Sequence, residues 1–99
     1  MSVIVNLAIF PLDKGEELAP YVAKAVEIIR CSGLPHALGA MSTSIEGEYD
    51  AVMDVVRRCF MALREDCDRV YMTVAVDYRN TGDGRLSGKV RAVEELLRQ

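Results

Sequence analysis

The chain has little of what catalytic, metal-binding or disulfide-stabilised proteins need. Its three cysteines, Cys31, Cys59 and Cys67, show no C-x-x-C spacing, so the sequence supports neither a disulfide scaffold nor a zinc site. Reduced thiols are typical of a cytosolic protein. His36 is the single histidine, and every nucleophile-histidine arrangement would have to be built around it. We therefore predict that the protein is not an enzyme and carries no metal or cofactor.

The chain also lacks a basic stripe and a long hydrophobic run. Its net charge is −3 and its pI is about 5.1, which argues against nucleic-acid binding. No apolar stretch approaches the length of a membrane span, and no basic segment precedes a long apolar run. We expect a soluble cytoplasmic protein with no membrane partner. The hydrophobic fraction of 51% is high for 99 residues, so part of the apolar surface is expected to pack against another subunit.

Residues 1–99 form one domain by length, and their hydrophobic periodicity predicts the order β-α-β-β-α-β-α. The first six elements have the order of the ferredoxin-like fold, an α+β architecture with a four-stranded antiparallel sheet, and an extra C-terminal helix follows. The predicted elements are a strand at 2–10, a helix from about 19 to 31, a hairpin within 35–47, a helix from 50 to about 64, a strand from 68 or 69, a loop at 79–86 and a last helix capped by Ser87.

The segment 41–48 carries the highest density of polar groups in the chain, namely two carboxylates, three hydroxyls and one thioether. In an extended strand Glu46 and Glu48 point to the same side. They form either a site for a cation or hydrogen-bond donor, or a charged entrance to the next helix. Ser42, Thr43 and Ser44 offer hydroxyls to a small polar ligand. Met41 is either a further contact to that ligand or a packing residue. The candidate ligand-binding residues are Asn6, Tyr21, Met41, Ser42, Thr43, Glu46 and Glu48.

Two other polar features stand apart from this segment. Asn6 interrupts an otherwise apolar strand, and a buried amide there would need a ligand or backbone partner. Tyr21 either stacks on an aromatic ligand or joins the core. Arg79 and Arg85 either bind an anion or solvate their loop.

Several short motifs give the chain a resemblance to a known family. It resembles the small thiamine-binding proteins of the YkoF-like superfamily over nearly its whole length. The motifs are Phe10-Pro11-Leu12, Tyr21-Val22, Ser32-Gly33-Leu34, Met41-Ser42-Thr43-Ser44-Ile45-Glu46-Gly47-Glu48 leading into Val52-Met53-Asp54-Val55-Val56, Asp68-Arg69-Val70 and Lys89-Val90. The chain departs from the usual pattern at Ser42, where glycine is commoner, and at Leu18, where a small hydroxyl residue is commoner.

The resemblance implies a ferredoxin-like fold, assembly as a homodimer or homotetramer, and reversible binding of thiamine or its hydroxymethylpyrimidine part. Glu46 or Glu48 would then accept from the amino group or neutralise the thiazolium cation. Thr43 and Asn6 would complete the pyrimidine edge, and Tyr21 or Phe10 would flank a ring. The alternative is a regulatory or assembly module that acts through protein–protein contacts, because this fold serves many such roles.

Overall fold

The structure is a computed structural model that describes residues 2–80 and 84–99. Its four strands form one antiparallel sheet in the order β2-β3-β1-β4, which is the ferredoxin-like topology. The elements are β1 Ser2–Pro11, α1 Ala19–Cys31, β2 His36–Leu38, β3 Thr43–Glu48, α2 Tyr49–Asp66, β4 Val70–Tyr78 and α3 Arg85–Leu97. The predicted α+β fold is confirmed.

The core lies between one face of the sheet and the helices α1 and α2. Side chains alternate along β1, so its odd-numbered residues all point to this face. Val5 pairs with Ile45 on one side and with Val76 on the other. The buried apolar core consists of Val3, Val5, Leu7, Ile9, Ala25, Ile29, Ile45, Val52, Val55, Val56, Cys59 and Leu63.

Helix α1 begins and ends where the sequence predicts. Pro20 lies in its first turn, where a missing N–H costs nothing. Gly33 follows its end with a φ of 78°, a left-handed conformation that glycine adopts without strain. The Ser32 backbone N–H donates to carbonyls of the last turn. The local sequence therefore fixes the position of this helix against the sheet.

The second sheet face, which we call the open face, is only partly covered within the single chain. It carries the even-numbered residues of β1, and the sequence predicts that a partner subunit covers it. Asn6 on this face is exposed in the single chain, and its cover by a partner stays a prediction. Helix α3 covers only part of this face, where it contacts β3.

Strands β1 and β3 each end one residue later than predicted, and the boundaries of α2, β4 and α3 also differ from the predicted ones. Helix α2 begins at Tyr49 and ends at Asp66, so it is longer at both ends, and β4 begins at Val70. Helix α3 begins at Arg85 after Gly84, so Ser87 is not its cap. The Ser87 hydroxyl instead donates to the Gly84 carbonyl at 3.4 Å. Part of the predicted 79–86 loop, residues 81–83, lies outside the described residues.

No helix among residues 2–80 and 84–99 has both the length and the apolar character needed to cross a membrane.

Candidate functional site

A cavity of about 350 Å³ lies between α1 and the sheet, at the end where β2 turns into β3. Its floor comes from β1 and β3, its wall from α1, and its rim from the turn at 38–42. The cavity is largely apolar because apolar side chains of α1 and the core-facing side chains of β1 line it. The lining residues are Leu7, Ala8, Ile9, Phe10, Leu18, Val22, Ala25, Val26, Ile29, Leu38, Gly39, Ala40, Met41, Ser42 and Thr43.

Thr43 places a hydroxyl in this apolar cavity. It begins β3 and pairs with Leu7, so its side chain is on the helix-covered face of the sheet. Only 5% of the residue is exposed. Its hydroxyl makes no hydrogen bond with any of the residues that the structure describes. Among the described residues, the fully buried polar side-chain atoms without a partner belong to Ser2 and Arg85. The Thr43 oxygen is therefore open to the cavity and available to a ligand that enters it.

The turn at 39–42 forms the rim of the cavity and depends on a glycine. The Gly39 N–H donates to the Ser42 carbonyl at 2.8 Å. A β-carbon at Gly39 would lie 3.0 Å from that same carbonyl oxygen, so a larger residue would displace the turn. Met41, at the tip, is 90% exposed. The predicted packing role of Met41 is therefore wrong within this chain, and its thioether is free to cover a ligand at the cavity mouth.

Ser42 links the rim to the centre of the sheet. Its hydroxyl donates to Oδ1 of Asn6 at 2.7 Å, and the Ser44 hydroxyl approaches the same oxygen at 3.5 Å. Within the single chain, Asn6 is thus an exposed amide whose oxygen accepts from the turn. Its position on β1 means that it holds Ser42 in place from the open face and does not line the cavity.

The two glutamates lie away from the cavity. Both carboxylates occupy the open face, as the strand periodicity predicts. Glu46 is only 4% exposed, and its Oε2 accepts a 2.8 Å hydrogen bond from the Arg85 backbone N–H. That N–H belongs to the first turn of α3, where an acidic group is favoured. Glu46 therefore holds α3 on the sheet, and Glu48 is an exposed residue at the end of β3.

Arg85 has a structural position that neither sequence interpretation anticipated. It is 8% exposed, and its guanidinium donates to Oδ2 of Asp77 at 3.2 Å and to the Asp77 carbonyl at 3.1 Å. Lys89 donates to the same carboxylate at 2.5 Å. The hydrogen bond from Lys89, together with the charges of Lys89 and Arg85, lowers the pKa of Asp77. The predictions of an anion site or a solvated loop are therefore wrong for Arg85, whereas Arg79 is exposed.

Of the two predicted aromatic partners, Phe10 lines the cavity and Tyr21 does not. Tyr21 is partly buried against the core, as one of its two predicted roles requires. The ring of Phe10 lies against Tyr71 with centroids 5.6 Å apart. Of the seven predicted site residues, the structure brings Met41, Ser42 and Thr43 together at the cavity and connects Asn6 to them through Ser42.

Sequence reasoning missed the apolar walls of the cavity. Val22 and Ala25 lie at helical spacing, which predicts that they belong to the buried stripe of α1, and Leu18 directly precedes that helix. The signal for a cavity is the small size of Ala25 and of Gly39, which leave space where larger residues would fill it. Leu38 is another rim residue that the sequence does not single out.

Two other hollows flank α3. One, of about 610 Å³, is a surface groove formed largely by exposed residues of α3, and the other, of about 310 Å³, lies between α3 and the open face. Within the described part of the chain, no three His, Cys, Asp or Glu side chains converge as metal ligands would. The cavity beside α1 differs from both hollows because it reaches the core residues Leu7, Ile9, Ala25 and Ile29, and because the Thr43 hydroxyl opens into it.

The chain is similar to known proteins over almost all of its length. The sequence profile of the family described as thiamine-binding protein matches residues 5–94. A UPF0045 protein of Mycobacterium bovis is 38% identical over 98 residues, which cover 98% of this chain and 96% of the relative. A UPF0045 protein of Methanocaldococcus jannaschii is 30% identical over 95 residues, covering 96% of this chain and 95% of the relative.

Solved structures agree with these matches. The crystal structure of a hypothetical protein from Methanocaldococcus jannaschii superposes with a TM-score of 0.88 at 29% identity, covering 95% of this chain and 97% of the other. A Thermotoga maritima protein, proposed to act in thiamine biosynthesis or salvage, has a TM-score of 0.81 at 23% identity, covers 93% and 99% of the two chains, and supports the fold alone. The match over residues 5–94 and the full-length relatives show that this chain belongs to the thiamine-binding protein family.

Proposed function

We propose that this protein binds thiamine reversibly, through its hydroxymethylpyrimidine part, in the cavity between α1 and the sheet. The observation that carries the proposal is the Thr43 hydroxyl, which has no hydrogen-bond partner among the described residues and is open to a largely apolar cavity. Membership of the thiamine-binding family supports the choice of ligand.

The cavity has the character that a substituted pyrimidine needs. Its volume of about 350 Å³ is near the lower end of the range for small-molecule sites. Apolar side chains such as Ile9 and Val22 offer contact to the ring faces. The Thr43 hydroxyl both donates and accepts, so it can pair with a ring nitrogen or with the amino group. A flat heteroaromatic ring with polar edge atoms satisfies both kinds of surface.

The thiazolium cation would remain at the mouth of the cavity. Glu16 and Glu17 immediately precede Leu18, which lines the cavity, and both are exposed. Their carboxylates supply a negative potential for a cation at the rim without the cost of burying a charge. This arrangement replaces the sequence-based proposal that Glu46 or Glu48 meets the cation, because those carboxylates lie on the opposite sheet face.

We propose a binding role without catalysis and without a resident cofactor. None of the described residues that line the cavity has a side chain that ionises near neutral pH. A ligand held there would meet no general acid or base of the kind that proton transfer requires. Reversible capture of an intact ligand is the chemistry that this lining supports.

Calorimetric titration with thiamine and, separately, with hydroxymethylpyrimidine tests the proposal. We expect saturable binding of both ligands with one site per chain. Thr43→Val keeps the shape of the side chain but removes the hydroxyl, so it should weaken the binding of both ligands by roughly two- to twelvefold, the effect of one hydrogen bond. Ser44→Ala is the matched control on the open face. Absence of heat and of thermal stabilisation at millimolar ligand would exclude the proposal.

Assembly into a homodimer or homotetramer is a further part of our proposal. Helix α3 presents a stripe of exposed apolar side chains formed by Val90, Val93, Leu96 and Leu97. Such a stripe is typical of a surface that packs against another chain. Light scattering after size exclusion should give a mass of two or four chains, and Val93→Glu with Leu97→Glu should reduce it. A monomeric wild-type protein would contradict this part.

The second candidate function, a regulatory or assembly module, is favoured by the same exposed stripe. It predicts partner-dependent assembly that thiamine does not affect, so the titration above separates the two functions. We also propose a cytoplasmic location, because the unpaired thiols of Cys31, Cys59 and Cys67 fit a reducing compartment.

A further inference from the structure

We infer that the site selects the unphosphorylated form of its ligand and discriminates against thiamine phosphates. The inference rests on the proposed function and specifies its substrate class. It follows from the residues around the mouth of the cavity, where a phosphate ester on the exposed end of the ligand would lie.

The N-terminus of α1, at the edge of the cavity, has fewer free N–H donors than a helix end that binds phosphate usually has. Pro20 has no N–H, and the N–H groups of Tyr21 and Val22 both donate to the Leu18 carbonyl, at 3.0 and 3.1 Å. Leu18 itself donates to Glu16 at 3.0 Å and has no side chain that caps the helix. This helix end therefore offers little to an anion.

The charges near the mouth oppose an anion as well. Glu16 and Glu17 immediately precede α1, and Asp13 lies in the same loop. The backbone N–H of Asp68 lowers the pKa of Asp13, so its carboxylate stays charged. The Lys14 ammonium group in the same loop lies 3.9 Å from Oδ2 of Asp13, and this carboxylate offsets its positive charge. A phosphate, which adds about −1.5 to −2 charge at neutral pH, would be repelled.

The cavity lining contributes no compensating positive charge. Within the described part of the chain, its rim is made by uncharged residues, including Leu38, Ala40 and Met41. The buried cation of this domain, Arg85, is held by Asp77 beneath α3, away from the cavity. In a reaction sequence, such a protein would deliver the unphosphorylated ligand, with its alcohol group free, to an enzyme that transfers a phosphoryl group to it. It would not retain the phosphorylated product.

Competitive calorimetry with thiamine, thiamine monophosphate and thiamine diphosphate tests the inference. We expect affinity to fall by roughly tenfold or more from thiamine to the diphosphate, and we expect the difference to shrink in high salt because exposed charges are screened. Glu16→Lys with Glu17→Lys should narrow the difference by raising diphosphate affinity. Glu94→Lys with Glu95→Lys on α3 changes the total charge by the same amount and should leave the ratio unchanged.

The outcomes separate this inference from the function on which it rests. If thiamine and its diphosphate bind equally well, or if the double charge reversal leaves their ratio unaltered, the selectivity is wrong while thiamine binding stands. If none of the three compounds binds, the proposed function fails, and the inference fails with it.

Discussion

The hydroxyl of Ser42 donates a 2.7 Å hydrogen bond to Oδ1 of Asn6, a residue 36 positions earlier in the chain. The contact joins the turn at 39–42 to β1, a central strand of the sheet. Because this turn is the rim of the cavity, the contact determines where Met41 and the Thr43 backbone lie relative to α1.

We expect Ser42→Ala to loosen the rim and to weaken ligand binding several-fold, while stability falls by only about 0.5–1.5 kcal/mol. Asn6→Ala should have the same effect. The two changes together should cost little more than either alone, because they remove the same contact. Titrations of the three variants measure this coupling. Additive losses would show that the two residues act independently.

Glu46 is expected to support α3 and not the ligand. Glu46→Ala leaves the Arg85 N–H without its acceptor in a buried place, so we expect a loss of about 1–3 kcal/mol in the free energy of unfolding. Hydrogen exchange should accelerate in α3 first. Glu46→Gln, which keeps an acceptor oxygen, should lose less. A large loss of thiamine affinity in Glu46→Gln, with α3 still protected, would move the site to the open face.

The ion pairs of Asp77 predict an acid-sensitive stability. Interaction with Lys89 and Arg85 lowers the pKa of Asp77 in the folded state, so the folded protein holds this proton less tightly than the unfolded chain. The contribution of Asp77 to the stability of the folded state is therefore present at neutral pH. It is lost as the pH falls below about 4, the ordinary range for the pKa of aspartate. Thermal unfolding of Asp77→Asn between pH 6 and pH 3 should show a flatter acid dependence than the wild type. Parallel curves would contradict this role.

The thiols should differ in reactivity. Burial raises the pKa of Cys59 to about 11 and also raises the pKa of buried Cys67, and a protonated, buried thiol is a poor nucleophile. Cys31 is exposed. A disulfide reagent at pH 8 should therefore label one thiol per chain quickly and the other two only after unfolding. Rapid labelling of Cys59 in the native protein would mean that the packing of α2 on α1 is looser than described.

The sequence predicts local features well where a few neighbouring residues decide them. Pro20 and Gly33 mark the limits of α1, and the period of two predicts that Val5 and Leu7 share one face of β1. That Glu46 and Glu48 lie on one side of β3 also follows from strand periodicity. These features depend on backbone geometry within a few residues.

Features that depend on contacts between distant segments were not predictable. Glu46 is buried because α3 begins 39 positions later and presents the Arg85 N–H to it. Asn6 is exposed because α3 covers only part of the open face. The cavity likewise arises from the fit between α1 and the 39–42 turn, and no periodicity in either segment reveals the space between them.

The central claim, that the ligand occupies the cavity beside α1, is tested most directly by filling that cavity. Val26 lines it and is only partly buried, whereas Ala23 lies on the exposed side of the same helix. We would titrate Val26→Phe with thiamine and use Ala23→Phe as the matched control. The account predicts that Val26→Phe remains folded but loses binding, while the control binds like the wild type. Undiminished binding by folded Val26→Phe would contradict it.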